Sequence, residues 1–452
     1  MRILIITKYF PPENSVASLR PYSWARYWTE AGHEVEVLTT VKDRSRPESS
    51  EMPNNGFAVH EVDFPPIYQR MKGLYKKFVK SNPQASSGQE PVFQSSGSGE
   101  AGPARRPGIL KRLAGRANDF RLRRGVMLAI RMPDNFDFWV KEGLKWTTGR
   151  RPWDLVISTH APYATHLIAE RLKREGLAGT WVADFRDLWT DNHIYKGLFP
   201  FTVAEQYLER RAMKTADAIT TVSEPLAQTL ARKYGAEKVF VVENGYDAAS
   251  LDGLPATPAF PADGKKRIIH TGTIYQDKQD PSLLFRAMAD LAREPAGKKL
   301  LGHLEVVFVG SNADVLQEMV RQHGVVEWVK LGGFLPRTEV LRMQRDAHAL
   351  LFLEFDGGKT AGILTGKLFE YLSSGTQVWG VGVQAHSSPG MLINLTQSGI
   401  LFGDDQEHLR QELMRLLQEK SKRAIAPAEE VLQRFERKVL AHKLLQILPG
   451  NE

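Results

Sequence analysis

Twice along this chain, short apolar runs rich in β-formers alternate with longer segments of helical period. That rhythm restricts the fold more than any other feature. The first series is RILIIT (2–7), EVEVLTT (34–40), DLVIST (154–159), WVADF (181–185), AITTVS (218–223) and VFVVEN (239–244). These runs are largely continuous, as strands buried on both faces of a parallel sheet require. Amphipathic segments such as Pro21–Ala31 and Thr165–Glu175 lie between them, and Gly32 stops the first just before a strand. The second series is RIIHTG (267–272), LEVVFVG (304–310), WVKLGG (328–333), HALLFLE (348–354), QVWGVG (377–382) and GILFG (399–403). Two successive βαβ series predict an α/β chain of two doubly wound domains with parallel sheets. The Pro/Gly/Ala-rich stretch 253–266 is the expected linker between an N-terminal domain, 1–252, and a C-terminal domain, 267–428. The terminal helical segment, 429–452, either finishes the second domain or crosses back to the first.

The 452 residues exceed what one core supports. There is no cysteine, which excludes disulfides and thiolate metal sites. Residues 1–7 run straight into KYFPPE with no cleavage pattern and read as a strand rather than a signal peptide. No run of about 18 apolar residues is present to span a bilayer, so the chain is expected in the cytoplasm. Residues 81–107 are rich in Ser, Gly, Pro and Gln and nearly devoid of core-forming side chains. They predict a flexible insertion, about 68–131, within the first domain. Of the net charge of +8, much sits between residues 105 and 131, where nine Arg or Lys accompany one Asp. That segment is expected either as a solvated face or as a contact for an anionic membrane surface, peripheral to its inner face. No zinc-finger, basic-zipper or RNA-binding aromatic motif accompanies it, which argues against nucleic acid.

The stretch GILTGKLFEYLSSG (362–375) carries the chemistry. Thr365 can cap a helix that begins near Gly366, with Leu368, Phe369 and Leu372 as its buried face and Gly375 as its end. The compact turn Gly362, Ile363, Leu364, Thr365, Gly366 lets backbone N–H groups point into one space. A helix N-terminus with such donors suits a diphosphate. Lys367 adds a full positive charge, and Glu370, three positions on, can accept hydrogen bonds from ribose hydroxyls. Together these groups describe a nucleotide-diphosphate site on the second domain; an ordinary α/β loop with an incidental Lys–Glu pair is the alternative.

With its context, the stretch resembles the donor-site motif of family 4 retaining glycosyltransferases, in particular a branch with K-L-F-E-Y-L, which stands here at 367–372. The resemblance implies the GT-B architecture, two facing Rossmann-like doubly wound domains with parallel sheets. In that family two Glu separated by seven residues frame the loop and helix. The second matches Glu370, implied as the ribose ligand. The first falls on Gly362, a departure that leaves the donor-sugar hydroxyls to backbone amides or a neighbour such as Asp356. HTGTIYQDKQDPSLLFRAM (270–288) resembles the first strand, phosphate-contacting loop and helix of the family's second domain. Gly272 ends that strand, Thr273 stands where the family commonly has Arg, and Lys278 matches the usual diphosphate-binding Lys. Residues 8–40 resemble the opening strand–loop–helix–strand, with Ser15 and Val16 in place of two glycines. Arg20 matches a basic position that faces donor phosphates or an acceptor phosphate. Segments 158–172, 184–191, 221–230 and 241–247 also occur in the family in this order, so the resemblance covers nearly all of the chain except about 65–135.

His160 ends a predicted strand on the carboxyl edge, where open α/β sheets bind ligands. The resemblance implies that it contacts the acceptor hydroxyl or the donor sugar. Asp184, ending the next strand, is a candidate acceptor contact or base, whereas Asp187 beside Arg186 reads as a structural pair. The function implied is retaining hexosyl transfer from a nucleotide-sugar, UDP rather than GDP, to a glycan or lipid-linked acceptor in cell-surface polysaccharide synthesis. No metal is expected: Lys278, Lys367 and the helix-start amides would meet the leaving diphosphate. A sugar-nucleotide epimerase of the same architecture and a degenerate, non-catalytic sugar-nucleotide-binding subunit are the alternatives. A dinucleotide oxidoreductase is disfavoured, because KYFPPENSVAS and not G-x-G-x-x-G follows the first strand. The sequence carries no signal of oligomeric state.

Overall fold

The computed structural model describes residues 1–13, 15–42, 52, 56–63, 116, 120, 124, 126, 131–192, 195–275, 278–310, 313–355, 362–423 and 425–448. Most of the expected insertion, and Asp356, lie outside the described residues. The chain divides into two compact units, Met1–Val242 with Ala441–Glu452, and Glu243–Leu440.

The first unit is built on β1 (Arg2–Ile6), β2 (Glu34–Thr40), β3 (Ala58–Val62), β4 (Trp153–His160), β5 (Ala178–Phe185), β6 (Ala218–Thr221) and β7 (Val239–Val241). Their order is β3-β2-β1-β4-β5-β6-β7, and every pairing is parallel. The apolar runs are buried as expected: Ile3, Leu4, Ile5 and Ile6 have no exposed surface. The six expected strands are present. The seventh, β3, carries His60 and Glu61 and sits half-buried at the sheet edge. An edge strand needs no continuous apolar run, and periodicity alone does not reveal it.

The first helix, Val16–Glu30, starts five residues ahead of the expected Pro21. Ser15 caps it, its hydroxyl accepting from Ala17 N at 3.2 Å. Pro21 inside the helix lacks the N–H that would bond Ala17 O; Arg186 Nη1 donates to that carbonyl instead, at 3.4 Å.

The second unit holds β8 (Lys266–Thr271), β9 (Leu304–Val309), β10 (Val329–Gly333), β11 (Ala349–Leu353), β12 (Val378–Val381) and β13 (Gly399–Gly403). Their order is β10-β9-β8-β11-β12-β13, again all parallel. Both sheets thus reverse direction of growth between their first and fourth strands, and such a reversal opens a crevice beyond the carboxyl ends.

The stretch 253–266, expected as the linker, lies within this second unit. Ala259 N donates to the Asp346 carboxylate at 2.8 Å and Arg345 Nη1 to Pro255 O at 2.8 Å. Both partners come from the helix Arg337–Asp346, nearly ninety residues on, so composition gives no hint of this anchoring. At the other end, Leu432 belongs to the second unit's core, whereas Trp28 Nε1 donates to Ala441 O at 2.9 Å within the first.

Candidate functional site

In the second unit the reversal point lies between β8 and β11. Strand β8 is followed directly by Gly272, whose φ of +101° suits glycine. A Cβ on Gly272 would lie 2.9 Å from Lys367 Cε, so the lysine stem crosses the strand end directly. Lys367 Nζ stands 3.1 Å from His270 Nε2, and His270 Nδ1 pairs with Leu351 O at 2.9 Å. The carbonyl can only accept, so Nδ1 carries the proton and Nε2 receives the ammonium. Burial, reinforced by Lys367, holds His270 well below its ordinary value and therefore neutral. Burial also pulls Lys367 down to about 7, with Glu370 opposing. The result is a buried ammonium whose described hydrogen-bond partner is a neutral ring.

The helix Gly366–Ser373 brings Lys367 there because Lys367 and Tyr371, four apart, share its inner face. The Tyr371 hydroxyl accepts from Thr271 N at 2.7 Å, clamping the helix to the end of β8. Gln344 Nε2 adds a bond to Thr271 Oγ1 at 3.0 Å. Thr365 occupies the N-cap with extended backbone, as expected, but its hydroxyl makes no cap bond and is buried without a partner. The side-chain capping expected of it is not made; Asn244 Nδ2 donates to the preceding Leu364 O at 3.1 Å and holds the loop.

Glu370 is largely buried, and one carboxylate oxygen accepts from Arg337 Nη1 at 2.5 Å. Arg337 opens the helix Arg337–Asp346 and was not among the expected site residues. Gly362, where the motif's first Glu would fall, has φ +87°, a conformation that strains any side-chain-bearing residue. Glu354 directly follows β11 at the same sheet edge; burial raises its pKa, and Ser387 Oγ donates to it at 2.8 Å. Thr273 and Lys278 lie on the loop after β8. Lys278 N donates to Tyr275 O at 3.0 Å, and Gln279 Nε2 ties the loop to Leu353 O at 3.3 Å.

In the first unit Asp184, at the end of β5, is fully buried. It accepts from Arg20 Nη2 at 2.8 Å and Nε at 3.2 Å, from Thr159 Oγ1 at 2.8 Å and from Thr220 Oγ1 at 2.8 Å. Four bonds fill a carboxylate's acceptor positions. The expected role as base therefore lacks an available lone pair, and Asp184 instead holds Arg20 in place. His160, ending β4, is also fully buried, its ring within 6.0 Å of Phe185 and 6.3 Å of Trp189. Neither ring nitrogen has a side-chain hydrogen-bond partner among the described residues, and burial, with Arg186 adding, lowers it to about 3. It is a neutral imidazole. A second cationic cluster escaped the sequence reading: Lys8 pairs with Glu13 at 3.2 Å, and buried Lys42 with Glu13 at 3.6 Å. Burial brings Lys42 to about 8 against the pull of Glu13. Among the described residues no group of three or more His, Asp or Glu is placed to hold a metal.

Residues 97–250 match the family model described as Glycosyltransferase Family 4. That span carries His160 and Asp184 and stops short of the second sheet. No curated protein matches the sequence. Among the solved structures similar over the whole chain are the following three. Sucrose-phosphate synthase from Thermosynechococcus elongatus is 13% identical, with 99% of this chain and 98% of that one covered and a TM-score of 0.57. The apo lipopolysaccharide outer core galactosyltransferase WaaB is 14% identical, with 99% of each chain covered and a TM-score of 0.51. A variant of S. aureus TarM, in complex with fondaparinux, α-GlcNAc-glycerol and UDP, is 9% identical, with 100% of each chain covered and a TM-score of 0.54. At such identities the likeness is one of fold. The architecture is GT-B, two Rossmann-like domains with parallel sheets of seven and six strands, as the sequence led us to expect.

Proposed function

We propose that this protein is a retaining glycosyltransferase that moves a sugar from a nucleoside-diphosphate sugar to a glycan or lipid-linked acceptor. The observation that carries the proposal is the buried Lys367 ammonium, set across Gly272 at the start of the helix Gly366–Ser373 and paired with neutral His270. A desolvated cation whose hydrogen-bond partner among the described residues is a neutral ring costs free energy that a diphosphate would recover. The likeness in fold to TarM, whose complex contains UDP, favours UDP over GDP.

In this reading Lys367, Lys278 and the first peptide N–H groups of the helix meet the charge that develops as the C–O bond to the diphosphate breaks. Glu370, steadied by Arg337, receives the ribose hydroxyls. The acceptor oxygen attacks the anomeric carbon on the face the diphosphate leaves, and its proton passes to a departing phosphate oxygen. No protein base is then needed, in keeping with the filled lone pairs of Asp184. His160 supplies a neutral hydrogen-bonding group to the sugar or acceptor. Charge neutralisation by lysines leaves no step that requires a divalent ion, so chelation is expected to leave turnover unchanged.

A thermal-shift titration tests the reading. UDP at about 100 times its Kd stabilises the native state by about 2.7 kcal/mol. We expect a clear rise in Tm for the wild type, a smaller one for Lys278→Ala and Glu370→Ala, and sugar transfer when donor and acceptor are combined. Equal shifts in wild type and both variants would overturn the assignment.

A further inference from the structure

The helix Phe201–Thr215 has an unusual outer face. Phe199 is 78% exposed, Val203 59% and Tyr207 65%, with Phe201 at 36%. Val203 and Tyr207 are four apart and share one stripe; Phe199 lies in the turn just before the helix. Further along, Arg210 and Lys214 continue the stripe, and Lys196 is exposed just before it. The helix's two acids point the other way: Glu205 and Glu209 are fully buried. Glu205 pairs with Arg131 at 3.0 Å, and Glu209 accepts from the Tyr234 hydroxyl at 2.6 Å. Asp191, the acid that reaches the edge of this face, is ion-paired to Lys233. Neither Arg210 nor Lys214 has a carboxylate partner among the described residues.

We infer that this face docks on an anionic lipid surface, with Phe199, Val203 and Tyr207 entering the headgroup boundary and Lys196, Arg210 and Lys214 lying against lipid phosphates. The chemistry is that of an interfacial helix: aromatic and aliphatic side chains at one end, cations at the other, no acid toward the bilayer. Each cation near such a surface adds to the attraction, which salt screens. The charge pattern also decides against the chain's own basic stretch as the occupant. That stretch, 105–131, carries nine Arg or Lys and one Asp and ends at Arg131, whose guanidinium lies against Gly197. Like charge disfavours that stretch as the cover of a cationic stripe. The inference is independent of the donor site, since vesicle binding requires no turnover.

Co-sedimentation of the full-length protein with phosphatidylcholine vesicles containing about one third phosphatidylglycerol tests it. Binding should exceed that to pure phosphatidylcholine and fall with salt. The triple variant Phe199→Ser, Val203→Ser, Tyr207→Ser should bind about tenfold more weakly or worse, with unchanged Tm because the three side chains are exposed. Arg210→Glu with Lys214→Glu should weaken binding about tenfold. Phe199→Trp should shift its emission to the blue when anionic vesicles are added. The inference is overturned if wild type binds neutral and anionic vesicles alike, if the triple variant binds as wild type does, or if the Phe199→Trp emission does not move. It is equally overturned if the wild type is a dimer that the triple variant dissociates, which would make a second copy the occupant.

Discussion

The two sheets share one strand order, yet the buried charges at their carboxyl edges are treated in opposite ways. In the first unit Asp184 and Arg20 answer each other, and two threonine hydroxyls complete the carboxylate. In the second, the half-buried Lys367 faces a neutral imidazole. A saturated ion pair holds a fold together and has little left to offer a ligand. An ammonium short of counter-charge is held in place by its surroundings at some cost to stability, and it gains when an anion arrives.

The largest effect should come from breaking the saturated side. Asp184→Ala leaves the Arg20 guanidinium buried and two threonine donors unanswered, and should cost about 3–5 kcal/mol in denaturant unfolding. Asp184→Asn is the sharper variant, since it keeps the volume and removes the charge. If Asp184 acted as a base, Asp184→Asn would retain stability and lose turnover alone. We expect stability to fall as well.

Next in size is Lys367→Met, which should have the opposite sign in the ligand-free protein. It removes a desolvated charge that has no ion-pair partner among the described residues while keeping an apolar stem over Gly272. We expect a gain of at least about 1 kcal/mol at pH 6, where the native state must bury the charged form, together with loss of the UDP-induced Tm rise. A ligand-free loss of stability would mean that the ammonium is already satisfied, and the contrast between the two units would fail.

What the sequence revealed follows from how local each signal is. Twelve strands were legible because a continuous apolar run is written in adjacent residues; β3 was not, because its edge position removes the need for one. The helix Gly366–Ser373 and its Lys367–Glu370 spacing were legible for the same reason. Arg337 was not, since it meets Glu370 across 33 positions. His270 stood in plain view within the quoted strand, but its meaning depends on Lys367, 97 residues away. The saturation of Asp184 draws on Arg20, Thr159 and Thr220, three separate elements, and no spacing rule joins them. The anchoring of 253–266 by Arg345 and Asp346 belongs to the same class of long-range contact.

A smaller effect separates the two halves of the proposed ligand. Glu370→Gln keeps the shape and a hydrogen-bonding group beside Arg337 but lowers the carboxylate's pull on ribose hydroxyls. UDP affinity should fall about tenfold, the difference that one charge-assisted hydrogen bond makes. Affinity for inorganic pyrophosphate should stay the same. Isothermal titration with UDP and its 2′,3′-dideoxy analogue checks this: wild type should distinguish the two and Glu370→Gln should not.

The most specific effect is in pH. Lys367 has a pKa of about 7 with the site empty; a diphosphate beside it favours the ammonium and raises that value. Binding then takes up a proton between the two pKa values, so UDP affinity is full below pH 7 and weakens as pH rises above it, by up to about tenfold per unit until the bound-state pKa is reached. Working above pH 7 keeps clear of the ligand's own phosphate titration near pH 6. Lys367→Arg removes the titration, because guanidinium stays charged throughout. An affinity that is flat from pH 7 to 9 in the wild type would show that the leaving diphosphate does not reach Lys367. A slope present in both wild type and Lys367→Arg would move the titrating group elsewhere, with Lys42, at about 8 in the first unit, as the next cation to substitute.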